Sequence, residues 1–99
     1  MRRLPRPDVN DLDLAEVLYA LSDPIRLEIV KKLAATTALT CGVLCQDRPK
    51  SSMSHHFRIL RSAGIVESKA EGKEFYNSLR SRDLEKKFPG LLKSILKAL

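Results

Sequence analysis

The chain has 99 residues and a mass of 11.2 kDa, which suits one domain with a small core. Its residues are 43% hydrophobic and 30% charged, a globular composition that excludes a disordered chain. No apolar run approaches the roughly 20 residues of a membrane span, and the basic amino terminus lacks the apolar core and cleavage site of a secretory signal. We therefore expect a cytoplasmic protein with reduced cysteines and no membrane partner.

The net charge of +6 is unevenly distributed along the chain. Residues 1–47 hold six Lys or Arg and seven Asp or Glu, whereas residues 48–80 hold seven against three and residues 81–99 hold five against two. Excess positive charge in one part of a chain is typical of a surface that binds a polyanion, although many basic faces are only solvated.

Two helices are predicted before residue 36, after a flexible N-terminal arm over residues 1–10. Asn10 or Asp11 can cap the first helix. The second helix begins at Pro24, follows the N-cap Asp23 and runs to about Ala35. In the first helix, apolar residues recur at helical spacing at Leu14, Val17, Leu18 and Leu21.

A helix-turn-helix is predicted over residues 41–64. Residues 36–40 form a turn or a two-residue strand, and residues 41–47 form two helical turns that end before Arg48-Pro49. The next helix opens at Lys50 or Ser51 and ends at Gly64, which supplies a left-handed cap.

The helix after Pro49 has two different faces at about 100° per residue. The apolar face holds Met53, His56, Phe57, Leu60 and Ala63. The polar face holds Ser51, Ser54, His55, Arg58 and Ser62, with Arg61 at its margin. The two adjacent histidines point about 100° apart, so they cannot chelate one ion, and His56 is expected to pack against the core.

A β-hairpin and a last helical region follow Gly64. Residues 65–69 and 74–79 suit strands, and the turn between them contains Gly72. The helical region over residues 81–98 is interrupted at Phe88-Pro89-Gly90. Its apolar residues span more surface than a small domain covers, so we expect them to join the first helix in a homodimer interface; a membrane-surface helix is disfavoured because tryptophan is absent. The expected interface residues are Leu14, Leu18, Leu91, Leu92, Ile95, Leu96 and Leu99.

This order of elements predicts a winged helix-turn-helix: a mainly α fold with a β-hairpin wing, a three-helix core and terminal dimerisation helices. A B-DNA major groove, about 12 Å wide, admits one helix whose short polar side chains reach base edges. The sequence lacks a glycine-rich phosphate loop, a nucleophile elbow and an obvious carboxylate pair, so we expect no catalytic residues and no enzyme. An alternative is a winged helix that binds a protein.

Two runs, LSDPIRLEIVKKL and SSMSHHFRILRSAGIVESKAEGKEFYNSL, resemble the ArsR/SmtB family of bacterial winged-helix transcription regulators over about residues 12–80. The resemblance implies a homodimeric repressor that binds an inverted-repeat operator and is released by a signal. It also implies a recognition helix over about residues 50–63 and a wing over residues 65–79. The DNA-binding residues implied by position are Lys50, Ser51, Ser52, Ser54, His55, Arg58, Arg61, Lys69 and Lys73.

The cysteines depart from the metal-sensing members of that family. Their short motif C-V-C reads CGVLC here, and the last helix contains no His or Cys and only Asp83 and Glu85 as acids, so no metal site or cofactor is predicted. On a helix, Cys41 and Cys45 would lie on one face about 5–6 Å apart. Two interpretations stay open: small buried hydrophobes, or a sensor of thiol oxidation or of a soft metal or arsenite.

Overall fold

The computed structural model of the protein describes residues 2–46 and 48–99, with side chains from Leu4 onward. In the described residues, helices and short strands alternate around one core. The elements are β1 Arg2–Arg3, α1 Leu14–Ala20, α2 Pro24–Ala34, β2 Leu39–Thr40, α3 Cys41–Cys45, α4 Lys50–Ser62, β3 Val66–Glu71, β4 Glu74–Leu79, α5 Ser81–Lys87 and α6 Leu91–Ala98.

The first two helices both begin at aspartate caps. Asp13 caps α1 by accepting a hydrogen bond from the Glu16 N–H at 3.1 Å. The expected caps Asn10 and Asp11 were therefore wrong, because residues 9–11 form a separate 3-10 turn. The cap of α2 is confirmed, since Asp23 Oδ1 accepts hydrogen bonds from two N–H groups, those of residues 25 and 26, at 2.8 and 3.2 Å.

The helix-turn-helix consists of α3 and α4. The side chain of Thr40 accepts a 3.4 Å hydrogen bond from the Val43 N–H and so caps α3, which is shorter than the predicted 41–47. Asp47 lies outside the described residues. The long helix α4 begins at Lys50 and ends before Gly64, whose φ of +82° is the left-handed conformation that was predicted.

The wing belongs to a four-stranded antiparallel sheet in the order β1-β3-β4-β2. The predicted hairpin is confirmed: β3 and β4 pair from Val66 opposite Leu79 to Glu71 opposite Glu74. Within the N-terminal arm, residues 2 and 3 pair with β3, and the Leu4 N–H donates to the Ser68 carbonyl at 2.9 Å. Unpaired backbone groups on the edge of β3 account for this pairing. Met1, the first residue of that arm, lies outside the described residues.

The core lies where α4 crosses α1, α2 and β3. Its most enclosed large side chains come from α2, α3 and α4 and from the residue before β3, and they include Ile29, Leu33, Leu44, Met53, Leu60 and Ile65. The terminal helical region is divided as predicted: α5 and α6 are separated at residues 88–90, and four apolar residues of α6 are partly buried against the core. They are Leu91, Leu92, Ile95 and Leu96. The predicted fold, a mainly α winged helix-turn-helix, is confirmed.

None of the helices in the described part of the chain has the length and apolar character needed to cross a bilayer.

The Asp23 cap has a pH signature. Burial alone would raise the pKa of Asp23, but hydrogen bonds from the Arg26 and Ile25 N–H groups, together with the Arg26 charge, lower it below its ordinary value of 3.8. The stability contributed by the carboxylate is therefore present above pH 3.8 and is lost as the pH falls through the lowered pKa.

We expect Asp23→Ala to reduce the free energy of unfolding by about 1 kcal/mol at pH 7, because the cap is lost. The difference from the wild type should shrink as the pH falls below 3.8. Urea denaturation at both pH values measures it. Asp8→Ala is the matched control, because Asp8 makes no capping hydrogen bond. An Asp23→Ala cost that is equal at low and neutral pH would contradict this account.

Candidate nucleic-acid interface

The outer face of α4 is a continuous polar surface. Of the residues predicted to contact DNA, six lie on this helix with exposed side chains, and Arg61 is half-buried at its margin. The six exposed residues are Lys50, Ser51, Ser52, Ser54, His55 and Arg58. These side chains supply hydroxyl, imidazole and cationic groups that can hydrogen-bond base edges and phosphates.

The inner face of α4 is buried in the core. Met53 and Leu60 are 0% exposed and Phe57 is 3% exposed, so the helix cannot turn without losing this burial. The apolar face predicted from the sequence is thus confirmed, including Ala63 and His56. Burial of one face fixes which residues the other face presents.

A buried arginine fastens α4 to the first two helices. Arg26 is 6% exposed, and its guanidinium donates to the Ala20 carbonyl at 2.6 Å, the Tyr19 carbonyl at 3.4 Å and His56 Nδ1 at 3.1 Å. Because arginine only donates, His56 Nδ1 accepts this hydrogen bond. The predicted packing role of His56 is confirmed, and its partner is a cation. This contact ties the end of α1 to the middle of α4.

A cleft of about 820 Å³ separates the helix-turn-helix from the wing. Its walls come from α3, α4, β4 and the N-terminal segment, and they carry four cationic side chains and one acid. The cations are Arg48, Lys50, Arg61 and Lys73, and the acid is Glu74. Arg48 is bound by Glu28 at 2.7 Å, and that ion pair lowers the pKa of Glu28. The lining of the cleft therefore carries more positive than negative charge, which suits a phosphate backbone.

The remaining predicted DNA-binding residues differ in their surroundings. Arg61 is partly buried, and burial followed by repulsion from Arg58 lowers the pKa of its guanidinium, which stays charged at neutral pH. Lys73 is exposed at the wing tip. Lys69 is half-buried on β3, with its Nζ 3.9 Å from a carboxylate oxygen of Glu67. The two wing lysines therefore have different freedom to reach a ligand.

The two cysteines are in contact on α3. Cys41 Sγ lies 3.1 Å from Cys45 Sγ, and both thiols are free. Burial, followed by the hydrogen bond with Cys41, raises the pKa of Cys45 to about 11. No group of three or more His, Cys, Asp or Glu side chains in the described residues could hold a metal ion. The geometry fits both interpretations that the sequence left open.

Two arginines at this site, Arg26 and Arg48, were not among the predicted residues. Arg26 lies in the apolar stripe of α2, one turn before Ile29 and Val30, and a charged residue in such a stripe is the signal that could have revealed it. Arg48 lies in the turn of the helix-turn-helix, and only the fold brings it to Glu28 on α2. Arg26 contacts α4 from the side of the core, and Arg48 lines the cleft.

Comparisons with known proteins agree with this geometry. A family model described as a helix-turn-helix domain matches residues 21–69. The HTH-type transcriptional regulator YceK of Bacillus subtilis is 32% identical over 89 residues, which cover 87% of this chain and 89% of that protein. A transcriptional repressor SmtB homologue of Synechocystis sp. is 35% identical over 82 residues, or 78% of this chain and 62% of the homologue.

Solved structures show the same fold. The crystal structure of the transcriptional repressor BigR from Xylella fastidiosa superposes with a TM-score of 0.67 and 25% identity. The match covers 87% of this chain and 85% of BigR.

The fold and the exposed face of α4 define a winged-helix DNA-binding protein. The chain belongs to the ArsR/SmtB family of helix-turn-helix transcriptional regulators, which confirms the resemblance seen in the sequence. It is therefore a DNA-binding regulator of transcription, and the expectation that it is not an enzyme is confirmed by the family.

The raised pKa of Cys45 predicts unequal thiol reactivity. At pH 8 the Cys45 thiol is protonated and buried, so we expect iodoacetamide to modify it more slowly than the half-buried Cys41. Peptide mapping by mass spectrometry over a time course measures both rates. The urea-denatured chain is the control and should show similar rates at both thiols. Equal rates in the folded protein would contradict the assigned environment of Cys45.

Proposed function

We propose that the protein is a homodimeric transcriptional repressor that binds an inverted-repeat operator through α4. The SmtB homologue and BigR both carry repressor in their names, which supports the direction of regulation. The two recognition helices of the dimer would enter successive major grooves about 34 Å apart. Such a protein works in the cytoplasm, where the bacterial chromosome lies.

The observation that carries this proposal is the contrast between the two faces of α4. Met53 and Leu60 are enclosed completely, while Ser54, His55 and Arg58 on the other face are exposed. A surface helix needs polar residues outside, but three serines, a histidine and an arginine on one face also match what base edges accept. We assign direct base contacts to this face.

The remaining predicted residues would position the protein on the DNA backbone. Lys50 and Arg61 line the cleft beside α4, and Lys73 lines it from the wing. Contacts from these side chains to phosphates would fix the register of α4 without reading sequence. Lys69, which lies beside Glu67, would make a weaker contact.

Exposed apolar side chains support the proposed dimer. Leu14, Leu18 and Tyr19 on α1 are 46%, 48% and 58% exposed, and Leu99 after α6 is 39% exposed. We assign these residues and the half-buried apolar residues of α6 to one surface that a second copy of the chain would cover. A twofold axis through this surface is what an inverted-repeat operator requires.

Arg58→Ala should weaken specific operator binding by about 1–3 kcal/mol per subunit, because the shortened side chain cannot hydrogen-bond a base or a phosphate. The melting temperature should stay unchanged, since Arg58 is exposed. Fluorescence anisotropy with a duplex selected from a random pool measures the affinity. Arg82→Ala is the matched control, because Arg82 is an exposed arginine on α5. An affinity equal for both variants would refute the assignment of Arg58.

Leu18→Glu should convert the dimer to a monomer at micromolar concentration, because the new carboxylate would be buried against the partner. Sedimentation velocity measures the change. Val43→Glu is the matched control: Val43 is 53% exposed and lies on α3, outside the proposed interface, so this variant should remain dimeric. A wild-type chain that sediments as a monomer, or a Leu18→Glu variant that stays dimeric, would contradict the proposed interface.

A further inference from the structure

The wing hairpin has a negative net charge, which is unfavourable for an element that approaches the phosphates of DNA. Residues 66–79 contain two lysines and three glutamates, a net charge of −1. At the tip, Glu71 lies opposite Glu74, which places two acids beside Lys73. A hairpin of this composition gains little from approaching a phosphate backbone. The positive charge needed at this edge must come from another element.

The N-terminal segment brings that charge to the wing. Residues 2–6 contain three arginines and no acid, and β1 pairs with β3 so that Arg2 lies opposite Ala70 and Arg3 opposite Lys69. With this segment, the net charge of the wing changes from −1 to +2. Arg6 binds the Glu67 carboxylate and so neutralises one of the three acids of the hairpin.

The register of β1 places two cationic residues at opposite positions. Arg3 lies directly opposite Lys69 on the neighbouring strand. Positive charge at this edge of the wing would attract an anion that lies close to the two strands.

The N-terminal segment also reaches the cleft beside α4. Leu4, the residue after β1, lines the cleft together with Ser54 on α4 and Lys73 on the wing. The chain leaves β1 at the wing and continues to Leu12, which is buried in the core. Residues 2 and 3 therefore lie at the end of the wing next to the surface assigned to DNA.

We propose that β1 is a third strand of the wing and that Arg2 and Arg3 bind phosphates of the DNA backbone flanking the bases contacted by α4. This inference rests on the proposed function, because it uses the same DNA-binding face. It adds a sequence-independent contact that is separate from base recognition by α4. The partner is duplex DNA, recognised through its phosphates.

The test compares the salt dependence of DNA binding between wild type and an Arg2→Ala/Arg3→Ala variant. The slope of log K against log salt should become shallower by about 0.9 for each phosphate that the variant no longer neutralises, or by up to about 3.6 for the four arginines of a dimer. At 0.15 M salt the affinity should fall about tenfold or more. The same factor should apply to the selected duplex and to an unselected duplex of equal length, because phosphate contacts carry no sequence information.

Two further variants separate charge at this site from total charge and from strand pairing. Lys31→Ala/Lys86→Ala removes the same number of charges from exposed positions on α2 and α5 and should leave the slope unchanged. Arg2→Lys/Arg3→Lys keeps the cations and should restore most of the slope. All variants should melt at the wild-type temperature, since β1 pairs through its backbone.

The possible results distinguish a failure of the proposed function from a failure of the role of β1. A wild-type chain with no affinity for DNA would overturn the proposed function itself. A wild-type chain that binds DNA, with an Arg2→Ala/Arg3→Ala variant whose slope matches that of Lys31→Ala/Lys86→Ala, would overturn only the role of β1. A shallower slope with an unchanged ratio between selected and unselected DNA would support it.

Discussion

The arrangement of the helices depends on the contacts that hold α4 against the core. Its inner side chains fill the space between α1, α2 and β3, and Arg26 joins the last carbonyls of α1 to His56 on α4. Burial of Met53, Phe57 and Leu60 stabilises the position of α4 in the fold. Arg26 restricts the orientation of the helix, because a guanidinium donates its hydrogen bonds in a fixed plane. Removal of one acceptor would leave a buried charge with an unmade hydrogen bond. The core beneath α4 therefore fixes which side chains its outer face exposes.

Local signals in the sequence were sufficient to predict most of the fold. Asp23-Pro24 marks a helix start, Gly64 marks a helix end, and the apolar residues of α4 recur with a helical period. Such signals involve residues only a few positions apart, so they can be recognised in the sequence without knowledge of the tertiary fold. The start of α1 was misplaced because Asn10, Asp11 and Asp13 are all good caps, and residues 9–11 form a separate 3-10 turn that ends before Asp13.

The features that escaped prediction all rest on long-range contacts. The pairing of β1 with β3 joins residues more than sixty positions apart, and a two-residue strand has too short a pattern to be read from sequence. The ion pair between Arg48 and Glu28 and the buried contact between Arg26 and His56 also need the packed fold. For the outer face of α4, by contrast, the helical period alone separated outer from inner residues, and the structure exposes the outer ones as predicted.

The two edges of the sheet have a consequence for solubility. Both β1 and β2 are two residues long; Pro5, which has no N–H to donate, follows closely after β1, and β2 runs directly into α3. Short edges of this kind give another molecule few backbone groups to hydrogen-bond, which is how natural sheets avoid joining edge to edge. The aromatic hairpin residues Phe75 and Tyr76 are exposed; the strand that bears them pairs with β3 along its whole length and with β2 at Tyr76. Crowding of many copies on one stretch of chromosome thus carries little danger of β-type aggregation.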